Sequence, residues 1–280
     1  MCGIVGYIGK NVAAPILLDG LRRLEYRGYD SAGLSIRDNS GFQTIKKSGR
    51  VENLRKESLK KIRDGEIGIS HTRWATHGGV TDENAHPHVS WNGKLSLVHN
   101  GVIENYGFIR RELESKGVTF SSETDSEVLV NLVAFLYEAE REQQENSVQE
   151  CLVKALRSAL SQVEGTYGIA LLCLDLPDVM IGARKGSPLV VGVGNGENFL
   201  ASDVTAFAGR TQNVVYLDDG QIAIVSRTDF SITTMEEVAI SPTIDTISWD
   251  IEDAELGSYA HFMLKEIFEQ PIAVENCMRG

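Results

Sequence analysis

The sequence predicts an α+β protein in which two stacked β-sheets are flanked by helices. Three observations carry this. Short apolar runs open the chain, beginning with Gly3–Ile8. Two long helical patterns follow each other between Ser126 and Val163. After Gly165 the chain returns to short runs rich in β-branched residues. Strands, then helices, then strands again, place the helices on the outer faces of the sheets.

The elements follow in order. Gly3–Ile8 reads as a buried strand. Val12, Ile16, Leu17, Leu21 and Leu24 make a helical face, with Asn11 as expected N-cap and Pro15 in the first turn. Ala32–Ile36 and Phe42–Ile45 alternate around Asp38-Asn39-Ser40-Gly41, a hairpin pattern. Val51, Leu54, Leu59 and Ile62 suggest a short helix ended by Gly65. Ile67–Ser70 reads as a strand, and Leu95–Val98 as another that stops at His99-Asn100-Gly101. Asn105–Ser115 and Ser126–Glu140 are expected helices, and Ser147-Val148-Gln149-Glu150 is a capping box that opens the next. Strands are then expected at Tyr167–Leu172, Val179–Ala183, Leu189–Val193, Phe199–Ala201, Val214–Leu217 and Ile222–Val225. Asp219-Gly220 marks a hairpin between the last two. Residues 1–240 read as one domain. From 241 the chain reads as an acidic linker, with Asp245, Asp250, Glu252, Asp253 and Glu255, and then a helix from Tyr259 to Gln270 that Pro271 interrupts. A helix ending so close to the last residue suggests a chain that continues.

Composition narrows the function. Hydrophobic residues make up 42% and charged residues 24%, enough for a sizeable core. Net charge is −12, which argues against a nucleic-acid or anionic-membrane surface. No apolar run approaches a membrane span and no secretory signal stands at the start. Cys2, Cys151, Cys173 and Cys277 are scattered, without zinc-ligand spacing. These features fit a reducing, cytoplasmic setting.

Four stretches carry chemistry. Cys2 follows the initiator methionine. Removal of Met1 would leave one residue with a thiol and a free amine, whose reference pKa values lie near ~8.5 and ~7.7–8.0. An amine that activates its own side chain is a route to covalent acyl transfer; the plainer reading is a small apolar residue opening a strand. His71–Gly79 reads as an exposed polar loop, in which Arg73, Thr76 and His77 could grip a carboxylate around a structural Trp74. His71, His77, His86 and His88 lack a cysteine or carboxylate to complete a metal site, so no metal is expected. Asn100-Gly101 could supply two donors to an oxyanion, and equally could be a type I′ hairpin turn. Thr124-x-x-Glu127 is a capping box, beside which Asp125 could face a cleft and hold an ammonium group.

Taken together and in this order, these stretches resemble the class II, N-terminal nucleophile, glutamine amidotransferases. The resemblance is carried by Met1-Cys2-Gly3-Ile4-Val5-Gly6, Leu24–Gly33, His71–Gly78, Asn84–His88, His99-Asn100-Gly101, Glu123-Thr124-Asp125, Gly186–Leu189 and Ala201-Ser202-Asp203. It is closest to members joined to a sugar-phosphate isomerase half. It implies a four-layer αββα sandwich with antiparallel sheets. It implies that Cys2 attacks the side-chain amide of L-glutamine, with Asn100 and Gly101 stabilising the oxyanion and ammonia leaving. It implies that Arg73, Thr76 and His77 hold the substrate carboxylate and Asp125 its ammonium, that Trp74 closes the site, and that Arg27 lies near the nucleophile. No cofactor is implied. The expected partner is the isomerase half, absent here, which would use the ammonia to make glucosamine 6-phosphate from fructose 6-phosphate. Homodimer formation by the full-length enzyme is left open. The competing readings are the ammonia-donating domain of another class II amidotransferase and a non-catalytic regulatory or assembly domain.

Overall fold

The computed structural model describes residues 2–62, 64–75, 78–143, 146–247, 259 and 261–278. The chain opens with β1 (Gly3–Ile8), α1 (Ala13–Leu24), β2 (Ser31–Asp38), β3 (Gly41–Ser48), α2 (Val51–Lys61) and β4 (Ile67–Arg73). Then come β5 (His88–Val89), β6 (Leu95–Ile103), α3 (Tyr106–Ser115), α4 (Asp125–Gln143) and α5 (Val148–Ser161). The third group is β7 (Gly165–Cys173), β8 (Leu176–Lys185), β9 (Val190–Val193), β10 (Asn198–Ala201), β11 (Asn213–Tyr216) and β12 (Gln221–Val225). The last elements are β13 (Phe230–Thr234), β14 (Ala239–Ile240), β15 (Asp245–Thr246) and α6 (Phe262–Met278).

These strands form two sheets. The first runs β15-β11-β9-β10-β1-β4-β2-β3, and the second β14-β13-β12-β8-β7-β6-β5. Neighbouring strands are antiparallel. One core cluster lies between the sheets, with Ile4, Ile69 and Leu200 from the first meeting Val98, Leu172 and Met180 from the second. A second cluster packs α1 and α2 on the first sheet through Leu17, Leu21 and Leu54. A third packs α3, α4 and α5 on the second sheet through Leu113, Val133 and Leu156. The layers are therefore α, β, β, α, as the pattern of elements predicts. Full burial of each large aliphatic side chain contributes about 1.5–3 kcal/mol.

Several local expectations give way to tertiary structure. Asn11 does not cap α1: its backbone N–H donates to Tyr7 Oη at 3.2 Å and its side chain to Glu197 at 3.4 Å. Thr124 Oγ1 accepts the Glu127 N–H at 3.2 Å, half of the expected box. The Glu127 carboxylate instead reaches back to the amides of Ser121 and Ser122, at 2.8 and 2.6 Å. The Ser147–Glu150 box on α5 is complete. Asp219-Gly220 is a turn but no hairpin, because β11 pairs in the first sheet and β12 in the second. The turn hands the chain from one sheet to the other.

The compact unit that holds both sheets runs to Ile247. Its edge strand β15 lies in the acidic stretch expected to be linker. The second unit contains α6, which continues through Pro271 to Met278 instead of stopping there. The acidic residues 250, 252, 253 and 255 lie outside the described residues. No described helix is long and apolar enough to cross a membrane.

Candidate active site

The site is built where the start of β1, the end of β4, the middle of β6 and the start of α4 meet. Two strands run further than their hydropathy suggests. His71, Thr72 and Arg73 belong to β4 and are buried, so the exposed loop expected from His71 onward begins only at Trp74. Asn100-Gly101 is neither a strand end nor a hairpin turn. Both residues sit inside β6, opposite Gly168 and Tyr167 of β7.

Cys2 precedes β1. Its Sγ accepts the Trp74 N–H at 3.2 Å and lies 3.6 Å from the Trp74 carbonyl oxygen. Burial pushes the thiol above its ordinary pKa, opposed by the Trp74 N–H and the nearby Arg73 charge. Gly3 has no room for a side chain: a Cβ there would stand 2.7 Å from Thr72 Oγ1 and 2.8 Å from Leu24 Cβ. Gly28 is equally confined, since a Cβ would stand 2.8 Å from the Arg73 backbone carbon. That contact lets the Tyr26–Gly33 stretch press against the end of β4, where Asp30 Oδ2 accepts the Ala75 N–H at 2.9 Å.

Arg73 is 5% exposed and donates to the Gly79 carbonyl at 3.1 Å. Burial lowers its pKa, and the charges of Cys2, Asp125 and Asp30 oppose that. Asp125 is also 5% exposed, and its Oδ2 accepts the Ile103 N–H at 2.9 Å. Asn84 and Glu123 tie the far end of the Arg73–Gly79 stretch. The Asn84 side chain donates to the Gly79 carbonyl at 3.1 Å, and the Gly79 N–H donates to Glu123 at 3.4 Å. Asn84 and Glu123 were visible in the sequence only as members of motifs, without a role of their own.

Asn100 Nδ2 donates to the Cys2 carbonyl at 3.1 Å. Gly101 has φ of +136°, and a Cβ there would stand 2.1 Å from Thr166 O and 2.9 Å from His99 Nε2. Replacement of Gly101 by alanine is therefore expected to destabilise the fold by about 3 kcal/mol, from clash and backbone strain together. Urea denaturation checks this; an unchanged midpoint would show that β6 can shift to make room.

Two cavities share Cys2. A small polar one of about 20 Å³ is lined by Cys2, His71, Arg73, Gly101 and Asp125, among others. A larger cleft of about 240 Å³ is lined by Cys2, Arg27, Trp74, Asn100, Gly101 and Pro188, with others. Arg27 is held at the edge of that cleft by Asp203 at 3.0 Å and the Ser202 carbonyl at 3.2 Å. Trp74 is 47% exposed and meets Tyr29 edge-on, with ring centroids 5.7 Å apart. Thr76 and His77 lie outside the described residues. No metal-binding cluster occurs among the described residues.

His71 and His86 also line the small cavity, and His88 packs edge-on against His86. Burial pushes His71 down to about 3, and His86 and His88 well below 6.5. In the unfolded chain each takes a proton as pH falls through 6.5; in the folded chain each stays neutral until far lower pH. Stability that is complete above pH 6.5 is thus lost on acidification, by up to about 1.4 kcal/mol per pH unit for each histidine. Urea midpoints are expected to fall between pH 7 and 4.5, and less steeply for His88→Gln. Identical slopes would show that these imidazoles do not govern acid stability.

Comparison with known proteins agrees with the fold. A family described as "Glutamine amidotransferase domain" matches residues 57–145. A phosphoribosylpyrophosphate amidotransferase from B. subtilis has the same fold over 84% of this chain and 49% of its own, with TM-score 0.68 and 25% identity. An allosteric regulatory enzyme of purine biosynthesis matches over the same shares, with TM-score 0.69 and 26% identity. The chain is thus similar to the glutamine amidotransferase class, in sequence over residues 57–145 and in fold over 84% of its length. Within that class it is similar from end to end to glutamine–fructose-6-phosphate aminotransferases [isomerizing]. It is 48% identical over 280 residues to that of Caldanaerobacter subterraneus and 45% identical over 280 to that of Thermus thermophilus. In both cases the chain spans 44% of the relative's length.

Proposed function

We propose that this chain hydrolyses the side-chain amide of L-glutamine through a thioester on Cys2. The observation that carries the reading is that Cys2, Arg73, Asp125 and Gly101 line one cavity. A cation and an anion buried near one thiol match an amino acid's carboxylate and ammonium, with its side-chain amide reaching the sulfur. In the proposed reaction Met1 is removed and the Cys2 amine takes the thiol proton as Sγ adds to the amide carbon. Asn100 and Gly101 stabilise the oxyanion. The proton passes to the leaving nitrogen, the C–N bond breaks and ammonia departs. Water then adds to the thioester, releasing glutamate and restoring the thiol. Thr76 and His77 join Arg73 at the substrate carboxylate.

The 20 Å³ cavity holds about one water, so its walls must part to admit glutamine. The larger cleft beyond Cys2, edged by Arg27 and Trp74, is the proposed exit for ammonia. In the complete enzyme the ammonia would serve glucosamine 6-phosphate synthesis on an isomerase half, with the residues after Ile247 as the connection to it. The complete enzyme would be cytoplasmic.

The test is glutamate release from glutamine and from asparagine, together with labelling by a glutamine-analogue electrophile. Glutamine is expected to react, and asparagine, one methylene shorter, at least about 10²-fold more slowly. The label is expected on Cys2. Labelling of the buried Cys151 or Cys173 instead would sink the reading.

A further inference from the structure

We infer that His71 is a positioning residue that fixes which end of the Asn100 carboxamide meets the reacting amide. The inference rests on the proposed glutaminase reading. His71 lies on β4 in the first sheet and Asn100 on β6 in the second. His71 Nε2 and Asn100 Oδ1 are 3.0 Å apart, in a fully buried contact that spans the two sheets.

The polarity of that contact is determined by its other end. Asn100 Nδ2 donates to the Cys2 carbonyl at 3.1 Å. A carbonyl can only accept, so the nitrogen must face Cys2 and the oxygen must face His71. An amide oxygen also only accepts, so His71 must carry its proton on Nε2. The flipped amide would set Oδ1 against the Cys2 carbonyl, lone pairs against lone pairs. With the amide held this way, the second Nδ2 hydrogen remains for an oxyanion. Rotated by half a turn, the same side chain would present an oxygen there and repel it.

The imidazole is itself held. Its ring stacks on His86 at 4.2 Å and 19°. His86 Nδ1 accepts the backbone N–H of His99, the residue before Asn100, at 3.3 Å. The β2 strand leaves room for this arrangement: a Cβ on Gly33 would stand 2.1 Å from the His86 carbonyl. Burial keeps His71 neutral, so the donor adds no second positive charge beside Arg73.

The experiment is a double-mutant cycle on glutamate release, with iodoacetamide alkylation of Cys2 measured in parallel. Alkylation displaces iodide and forms no oxyanion. Asn100→Ala is expected to lower kcat about 10²–10³-fold. His71→Leu is expected to lower kcat about 10²-fold, as a misplaced catalytic group does, with KM within about threefold. His71→Gln, which can present an N–H near the Nε2 position, should restore most of that loss. His71→Asn, polar but too short, should behave like His71→Leu and guards against a folding defect in it. In the Asn100→Ala background His71→Leu should cost less than about twofold more, because its target is gone. Alkylation should stay within about threefold throughout. The inference is overturned if the His71→Leu loss persists undiminished in Asn100→Ala, if it falls on KM, or if alkylation falls with turnover. A wild-type rate for Asn100→Ala would overturn it by a different route, removing the oxyanion role of Asn100 on which it rests.

Discussion

Cys2→Ser is expected to lower glutamate release by at least about 10³-fold while leaving the fold intact. The sulfur's described polar contacts are with the Trp74 backbone, and a hydroxyl can take both. Stability should therefore move by no more than about 0.5 kcal/mol, as at other positions without a packing role. The chemistry is another matter. At neutral pH a thiol reaches its thiolate far more readily than a hydroxyl loses its proton, and the proposed base is only a terminal amine. Loss of a nucleophile that acts together with its base removes most of the rate at once. Intact mass and activity should be measured on the same sample, since a chain that keeps Met1 has an amide where the base is needed. Such a chain is expected to be as inactive as the serine variant. Turnover by Cys2→Ser within tenfold of wild type would end the thioester mechanism.

The second large effect is expected at Asp125. Asp125→Asn keeps an oxygen that can accept the Ile103 N–H, so the start of α4 should hold. The substitution removes the negative charge opposite the expected substrate ammonium. Loss of one partner of a buried charge pair costs about 2–5 kcal/mol, which predicts a rise in KM of about 10²-fold with kcat within about tenfold. A substrate that carries the amide and carboxylate of glutamine but lacks its α-amine provides the complementary arm. Wild type should prefer glutamine to that compound by a similar factor, and Asp125→Asn should not. Equal preference in both chains would mean that Asp125 holds the backbone of Ile103 and nothing more.

The parts of the fold that could be read from the sequence are those where local pattern and tertiary demand agree. β1 is an unbroken apolar run and is buried throughout. The Ser147–Glu150 box announces α5 because its bonds are local. β4 and β6 were expected to stop early because His71, Thr72, Arg73, His99 and Asn100 are polar. They remain strand because backbone partners on the neighbouring strands continue through them, even though His71 Nδ1 and Thr72 Oγ1 are buried without a hydrogen-bond partner, and no one-dimensional pattern displays those strand partners. Asn100-Gly101 carries a strong short turn signal, one that Asn92-Gly93 and Asn195-Gly196 share. Here the glycine's freedom at positive φ is used inside a strand. Asp219-Gly220 marks a turn correctly, but the partners of the strands on either side are chosen by the two sheets. At the site, Cys2, Arg73 and Asp125 stood out by residue type. The link from His71 to Asn100 did not, since it joins strands of different sheets.

The proposed reactive centre straddles a seam. Cys2 and Arg73 come from the start of β1 and the end of β4, Asn100 and Gly101 from β6 of the other sheet and Asp125 from α4 packed on it, and the aliphatic filling of Ile4, Val98, Met180 and their neighbours holds the two sheets in alignment. On the proposed reading, turnover would be a gauge of interlayer alignment. A slip of a fraction of an ångström, seeded by a single altered methylene far from the sulfur, would detune every pairing across the seam together while each slab stayed internally sound.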